Sequence, residues 1–210
     1  MQILVEILRF PLRFLEFFVI YFPGPIGDKL RYYYWKPQLK YLGRKVKIDV
    51  GVSFQGAKHI SIGDRCWIDR NVLIMAGYDE YTSRVTYKKE NSNFQFEIGE
   101  VVIGKETHIA PNVVLSGIGG LHIGDCCGIA SNSTIYTFSH HYKNLKDRTD
   151  GLQYFFTPMT QAENQAMIAG AVVIQNYCSI GLNSTILPGV TIGEGTWIGS
   201  QCLILSLIHI

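Results

Sequence analysis

The sequence has no CxxC pair and no cysteine–histidine spacing of the kind that holds zinc, and its five cysteines, Cys66, Cys126, Cys127, Cys178 and Cys202, are an odd number. A disulfide framework and a structural metal site are therefore not expected, and a reducing compartment is. Proline is scarce, 7 against 21 glycines, and glycine does not recur at every third position, which excludes a collagen-like chain. Net charge is small, +2 from 19 basic and 17 acidic side chains, and gives no argument for a nucleic-acid partner. Long uninterrupted apolar runs are missing too. Glu6, Arg9, Pro11, Arg13 and Glu16 break up the stretch MQILVEILRFPLRFLEFFVIYFPG, so neither a signal peptide nor a membrane span is expected there. What is present, 47% hydrophobic against 17% charged residues over 210 positions, suffices to bury one sizeable core.

Charge is unevenly placed. Residues 1–48 carry nine Lys/Arg and three Asp/Glu, a net +6, and the remaining 162 residues a net −4. The charges at 6, 9, 13 and 16 follow helical spacing and make one narrow polar stripe. Ile3, Leu4, Ile7, Leu8, Phe10, Leu12, Phe14, Phe17 and Phe18 occupy most of the remaining circumference, so such a helix has to be covered by something. Two covers fit. One is the protein body or a neighbouring subunit. The other is a membrane interface, where Lys29, Arg31, Lys36, Lys40, Arg44, Lys45 and Lys47 meet anionic head groups at ~1 kcal/mol per charge, with Tyr32, Tyr33, Tyr34 and Trp35 as interfacial aromatics. Residues 1–45 are read as this amphipathic helical arm, and the expected location is cytoplasmic, with peripheral association through residues 1–47 at the inner membrane face.

The dominant signal is a six-residue period. Ile168, Ile174, Ile180, Ile186, Ile192, Ile198 and Ile204 keep it without a break, and Val172, Cys178, Ser184, Val190, Thr196 and Cys202 follow four residues after the first six. Earlier copies read Val50, Gly56, Ile62, Ile68, Ile74, then Ile103, Ile109, Leu115, then Ile123, Ile129, Ile135. A single hexad cannot bury its own face, so the pattern predicts short strands stacked as three-sided coils, three hexads to a coil. Cys66, Cys127, Cys178 and Cys202 then fill small inward positions as compact hydrophobes rather than acting as nucleophiles. Two segments break the period. Residues 77–97 are polar and read as a hairpin or loop thrown out from a coil corner, and residues 141–166 begin directly after a histidine pair. Long insertions in a rigid scaffold tend to carry function.

The repeated aliphatic-Gly-x-x-small-x motif, running from about Val46 to Leu205, resembles the hexapeptide-repeat acyltransferases. The segment PGPIGDKLRYYYWKPQLKYLG is similar to the N-terminal extension of the branch that acetylates cell-envelope and capsular polysaccharides. The resemblance implies an all-β solenoid, a left-handed parallel β-helix over residues 46–210, assembled as a homotrimer. It implies direct transfer of an acetyl group from acetyl-CoA to a sugar hydroxyl of an envelope polysaccharide or its lipid-linked precursor, with no metal.

Sugar O-acetyltransferases of that family keep an I-A-x-N run followed, eight residues after the asparagine, by a histidine. Here Ile129-Ala130-Ser131-Asn132 leads to His140, the implied general base, with His141 as its fallback and a substrate-binding neighbour. The chemistry agrees independently: a hydroxyl attacking a thioester needs a base near neutrality, which is where an unperturbed imidazole titrates, and backbone N–H groups at a coil turn suit the developing oxyanion. The resemblance also places coenzyme A in a groove between subunits, on Gly181, Leu182, Gly199 and Ser200, glycine admitting pantetheine close to the backbone. Trp197 is expected to face outward, toward an adenine or the trimer seam. Asn112, in Ile109-Ala110-Pro111-Asn112, is a candidate for binding an acceptor hydroxyl or for an asparagine ladder at a turn.

Members of the family follow the last coil with a V-x-x-D segment ending in G-x-P-A, whereas this chain reads CLILSLIHI, an expectation of uncovered apolar rungs at that end. Two other function classes share the coil. A zinc enzyme of the γ-carbonic-anhydrase kind needs three converging histidines, and none of His59, His108, His122, His140, His141 and His209 shows the H-x4-H spacing of that site. A non-catalytic scaffold or pseudoenzyme would bind no coenzyme A.

Overall fold

The computed structural model describes residues 14–77, 85–141, 157 and 159–206. From Tyr41 the chain visits three parallel sheets in strict turn, six times over. The first sheet takes Tyr41–Leu42, Ile60–Ile62, Val101–Ile103, Leu121–Ile123, Val172–Ile174 and Thr191–Ile192. The second takes Lys47–Ile48, Trp67–Ile68, His108–Ile109, Gly128–Ile129, Ser179–Ile180 and Trp197–Ile198. The third takes Ser53–Gln55, Leu73–Met75, Val114–Ser116, Thr134–Tyr136, Thr185–Ile186 and Leu203–Ile204. Each turn is thus a triangle, and each sheet one face of a prism.

Strand pairing stacks like on like. Leu42, Ile62, Ile103, Ile123, Ile174 and Ile192 form one inward column, and Ile48, Ile68, Ile109, Ile129, Ile180 and Ile198 a second. Phe54, Ile74, Leu115, Ile135, Ile186 and Ile204 form the third. Each fully buried isoleucine contributes roughly 1.5–3 kcal/mol, so the columns are the main source of stability. The last rung is thinner: Ile198 and Ile204 are only partly buried, and Leu203 and Leu205 are exposed.

The register begins earlier than the repeat alone predicts. The first coil starts at Tyr41, inside the segment read as arm, and its inward residues are Leu42, Ile48 and Phe54 rather than Val50 and Gly56. A one-turn 3-10 helix, Ala57–His59, adds two residues between Phe54 and Ile62 and shifts the phase. Ile168 fits the six-residue spacing by coincidence. It lies in a separate strand, Ala166–Gly170, outside the coil.

Two edges of the prism close tightly. Between the first and second faces, Lys45, Arg65, Glu106, Cys126 and Tyr177 adopt positive φ (56 to 59°). Carboxylate and amide oxygens steady that turn from the next coil: Asp64 accepts from Arg44 N–H at 2.7 Å, Asp125 from Lys105 N–H at 2.9 Å, and Asn176 from Asp125 N–H at 2.8 Å. Between the second and third faces the left-handed position is held by Asn71, Asn112, Asn132 and Asn183, a residue type that tolerates it.

The small inward residues at these turns have a second task beyond packing. Cys66, Thr107, Cys127, Ser133, Cys178 and Ser184 each direct a thiol or hydroxyl at a carbonyl of the next coil, at 2.8 to 3.2 Å. Burial pushes the Cys66 and Cys127 thiols up to about 11, well away from thiolate chemistry. All the long insertions among the described residues hang from the third edge, between the third face and the first.

The arm forms two helices, α1 over residues 14–21 and α2, Gly24–Trp35. Pro23 and Pro25 set the start of α2, and Pro37 stops it. Gly27, Arg31 and Trp35 form its buried stripe, and Trp35 lies edge-on to Phe54 at 4.9 Å, covering the open end of the first coil. Arg31, expected on a basic surface, is 0% exposed. It donates to the carbonyls of Ile48 (2.8 Å), Phe22 (2.7 Å), Ile20 (3.3 Å) and Val19 (3.4 Å) and pairs with Asp28 (2.6 Å), tying both helices to the coil. Trp35 is likewise core and not an interfacial aromatic.

Candidate active site

His140 leaves the prism on its own strand. After the fourth coil ends at Tyr136, Thr137 turns the chain outward. Its buried hydroxyl donates to the Ser116 carbonyl and accepts from the Gly119 N–H, both at 2.7 Å, and its own carbonyl accepts from the Gly170 N–H at 2.9 Å. The strand Phe138–His140 then pairs antiparallel with Ala166–Gly170, placing His140 opposite Met167. The insertion thus begins at Thr137, and His140 belongs to it rather than preceding it.

A third strand completes this sheet. Val85–Lys89, from the insertion read as a hairpin, pairs in parallel with Ala166–Gly170, with Thr86 opposite Met167 and Lys88 opposite Ala169. Directly opposed residues share a face, so His140, Met167 and Thr86 line one rung and Phe138, Ala169 and Lys88 the next. Two strand spacings put Thr86 about 10 Å from His140. Phe138, Met167 and Ala169 pack with Ile118 in a buried cluster, and half-buried His140 stands at the end of that dry patch. His141 continues the pairing through its N–H to the Ala166 carbonyl at 2.9 Å. Most of the residue 141–166 excursion lies outside the described residues.

Beside the sheet is a cavity of about 310 Å³ lined by Lys88, Glu90, Phe94, Phe96, Gly119 and Gly170 among others. Gly120 borders it at φ +101°, and a Cβ there would press on the Phe94 ring at 2.6 Å. Phe96 packs edge-on to His122 at 5.1 Å, and burial holds the His122 imidazole below its ordinary range.

The residues expected to hold coenzyme A fall elsewhere. Gly181, Leu182, Gly199 and Ser200 lie on the second edge of the last two coils, and Trp197, 82% exposed, stands on the second face next to Ser179. The two glycines differ. The Cβ position of Gly181 is filled by the backbone of Ser200, at 2.5 Å, whereas among the described residues nothing nearer than Cys202 Sγ, at 3.8 Å, lies over Gly199. A ligand can approach the backbone at Gly199, and coil stacking accounts for Gly181.

Asn112 sits at φ +60° in a ladder, its side-chain amide accepting from Asn71 and donating to Asn132, both at 3.2 Å. The asparagine ladder at the turn is thus present, and it leaves one N–H and one lone pair of the Asn112 amide unused by it. The motif asparagine Asn132 is the next rung. Within one chain the structure does not bring His140 to the coil-corner residues, because they occupy different edges. Among the described residues no three His, Cys, Asp or Glu side chains converge.

Sequence reasoning missed Thr137, Thr86 and Lys88. The run VTYKK shows β-leaning composition, but nothing local states which strand it pairs with.

No family model matches the chain. Among curated proteins it is 28% identical over 165 residues, 79% of this chain and 71% of the relative, to a dTDP-4-amino-4,6-dideoxy-D-glucose acyltransferase of Escherichia coli. A chloramphenicol acetyltransferase of Agrobacterium fabrum is 30% identical over 92 residues, 42% of this chain and 44% of the relative. Among solved structures, AntD, an N-acyltransferase from Bacillus cereus in complex with dTDP and 3-hydroxybutyryl-CoA, superposes with a TM-score of 0.60 at 20% identity, covering 84% of this chain and 78% of that one. The AntD likeness is one of fold. In its six-residue register and three-sided coil, and in the curated acyltransferases it matches, the chain is similar to the hexapeptide-repeat acyltransferases.

Proposed function

We propose that the protein transfers an acetyl group from acetyl-CoA to a sugar hydroxyl of a cell-envelope polysaccharide or its lipid-linked precursor, working in the cytoplasm as a homotrimer of left-handed coils. The observation that carries this reading is the separation of His140, on the third edge, from the open backbone at Gly199, on the second. Copies packed around a three-fold axis set the third edge of one chain against the second edge of the next and close a groove between them. Coenzyme A lies in that groove against Gly199, Ser200 and Leu182, with Trp197 at its adenine end.

In this mechanism His140 accepts the hydroxyl proton as the oxygen attacks the thioester carbonyl carbon. Backbone N–H groups at the coil corner hold the tetrahedral oxyanion, the C–S bond breaks, and the departing thiolate takes the proton from the imidazolium. No covalent enzyme intermediate forms. The acceptor lies at the end of the small sheet where His140 stands opposite Met167, with His141 beside it.

A second reading, N-acylation of a nucleotide-linked amino sugar, is favoured by the names of the E. coli relative and of AntD. Its amine attacks the same carbonyl with the same base.

The test is transfer of labelled acetyl from acetyl-CoA by the full chain, offered a lipid-linked oligosaccharide, a nucleotide-linked hexose and its 4-amino counterpart. His140→Ala is expected to lower kcat at least 100-fold, with the coenzyme A Kd from calorimetry unchanged. Undiminished transfer removes His140 from the mechanism, modification of the amino sugar alone selects the second reading, and absence of coenzyme A binding selects a scaffold.

A further inference from the structure

The helix α1 is mounted inside out. Its exposed stripe, Phe14, Phe17, Phe18 and Tyr21 at helical spacing, with Leu15 beside it, is aromatic and aliphatic throughout, each residue 49 to 63% exposed. The side facing the body carries Val19 and the carboxylate of Glu16, which bonds the Tyr34 hydroxyl. The following helix α2 also exposes Ile26, Leu30 and Tyr33, and by helical spacing carries Lys29 and Lys36 on the same side as these three. Among the described residues neither lysine is paired with a carboxylate, whereas Lys40 and Arg44 are neutralised by Glu100 and Asp64 of the coil. Arg31 fixes the two helices to the prism, so the surface has one set orientation and is no loose tail.

We infer that this α1–α2 surface seats on a bilayer bearing anionic head groups. The stripe 14, 17, 18 and 21 sinks into the head-group boundary, Tyr21 and Tyr33 occupy the interface, and Lys29 and Lys36 reach past the apolar residues to lipid phosphates. A second copy is the poorer occupant, because self-pairing of this face brings Lys29 and Lys36 against their own counterparts. The surface is independent of the acyl-transfer chemistry. It bears on that reading only by bringing the third edge near a lipid-linked acceptor.

The experiment is flotation of the full chain with vesicles of phosphatidylcholine alone or with one quarter phosphatidylglycerol. Expected is binding to the anionic vesicles, at least tenfold weaker for Phe17→Ser with Phe18→Ser. Lys29→Gln with Lys36→Gln should lose about 25-fold on anionic vesicles, about fivefold per lysine, and nothing on neutral ones. Circular dichroism melting of each variant reports the coil, and acetyl transfer to a water-soluble acceptor should be unchanged in both. No partition of the wild-type chain overturns the inference, as does unaltered partition of both variants. If the serine variant instead splits an oligomer seen by light scattering while the wild type ignores vesicles, the face is a contact between copies and the inference falls.

Discussion

Replacing Arg31 with methionine should detach the arm from the prism. The variant keeps most of the side-chain volume and removes every donor. Its main effect is to leave the buried Ile48 carbonyl unsatisfied, at about 1–3 kcal/mol, together with the loss of the charged bond to Phe22, about 1.5–3 kcal/mol. The long contacts to Val19 and Ile20 and the Asp28 pair, whose carboxylate is 27% exposed and solvent-screened, add little. A total of about 3–5 kcal/mol is expected, in the range found when one partner of a buried pair is removed. Lysine should recover only a small part, because one ammonium cannot reach four carbonyls in the plane of a guanidinium. Urea unfolding followed by tryptophan emission reads the effect, since Trp35 lies buried against Phe54 one turn along the same stripe. A methionine variant within 1 kcal/mol of wild type, with its emission unshifted, would refute the claim that this one guanidinium holds the arm.

Four further outcomes follow from the same geometry. Thr137→Val orphans the buried Gly119 N–H and should cost about 1–3 kcal/mol in stability. It should also lower kcat through loss of His140 positioning, with the coenzyme A Kd unmoved, and an unchanged kcat would separate Thr137 from the site. Cys127→Thr should stay within about 1 kcal/mol of wild type, because Thr107 makes the equivalent bond one coil earlier, whereas Cys127→Ala should lose more, both read by thermal melting. With folded thiols held near 11, Cys66 and Cys127 should resist a thiol reagent at pH 8 and react once the chain is unfolded; the stability they contribute is full below the unfolded thiol value and lost as pH rises from about 9 toward 11. His122 has the opposite sign. Its imidazole is held below its ordinary range, so stability should fall as pH drops below about 6.5, and His122→Phe should flatten that limb of the pH–stability curve.

The coil was legible because its physics is local and repeated. Isoleucines six apart, each followed by a small residue, leave one way to bury both, and every register from Ile62 to Ile204 within the coils follows it. The first coil was misphased because two extra residues at Ala57–His59 displace Phe54 from the count, a slip that composition does not mark. Ile168 was misassigned for the converse reason, a correct spacing with the wrong partner strand. At the candidate site, His140 is proposed from its spacing to Asn132. The sheet that holds it is built from pairings between Val85–Lys89 and Ala166–Gly170, some 80 residues apart by register, and pairing at that range is decided by tertiary packing. The inward turn of Glu16 and Arg31 was hidden for a related reason: an amphipathic stripe tells which residues share a side, not which side meets the protein.

Two borders of the prism repeat one turn length in all six coils, while the remaining border carries segments from a few residues to several dozen. A graft along that margin alters what the molecule can grasp without rewinding its body, since the flanking rungs stay paired whatever is spliced between them. Exchanging residues 76–100 or 137–171 for counterparts of other lengths should therefore yield folded proteins with altered acceptor choice, whereas inserting even one residue at Asn112 or Glu106 should unzip the stack.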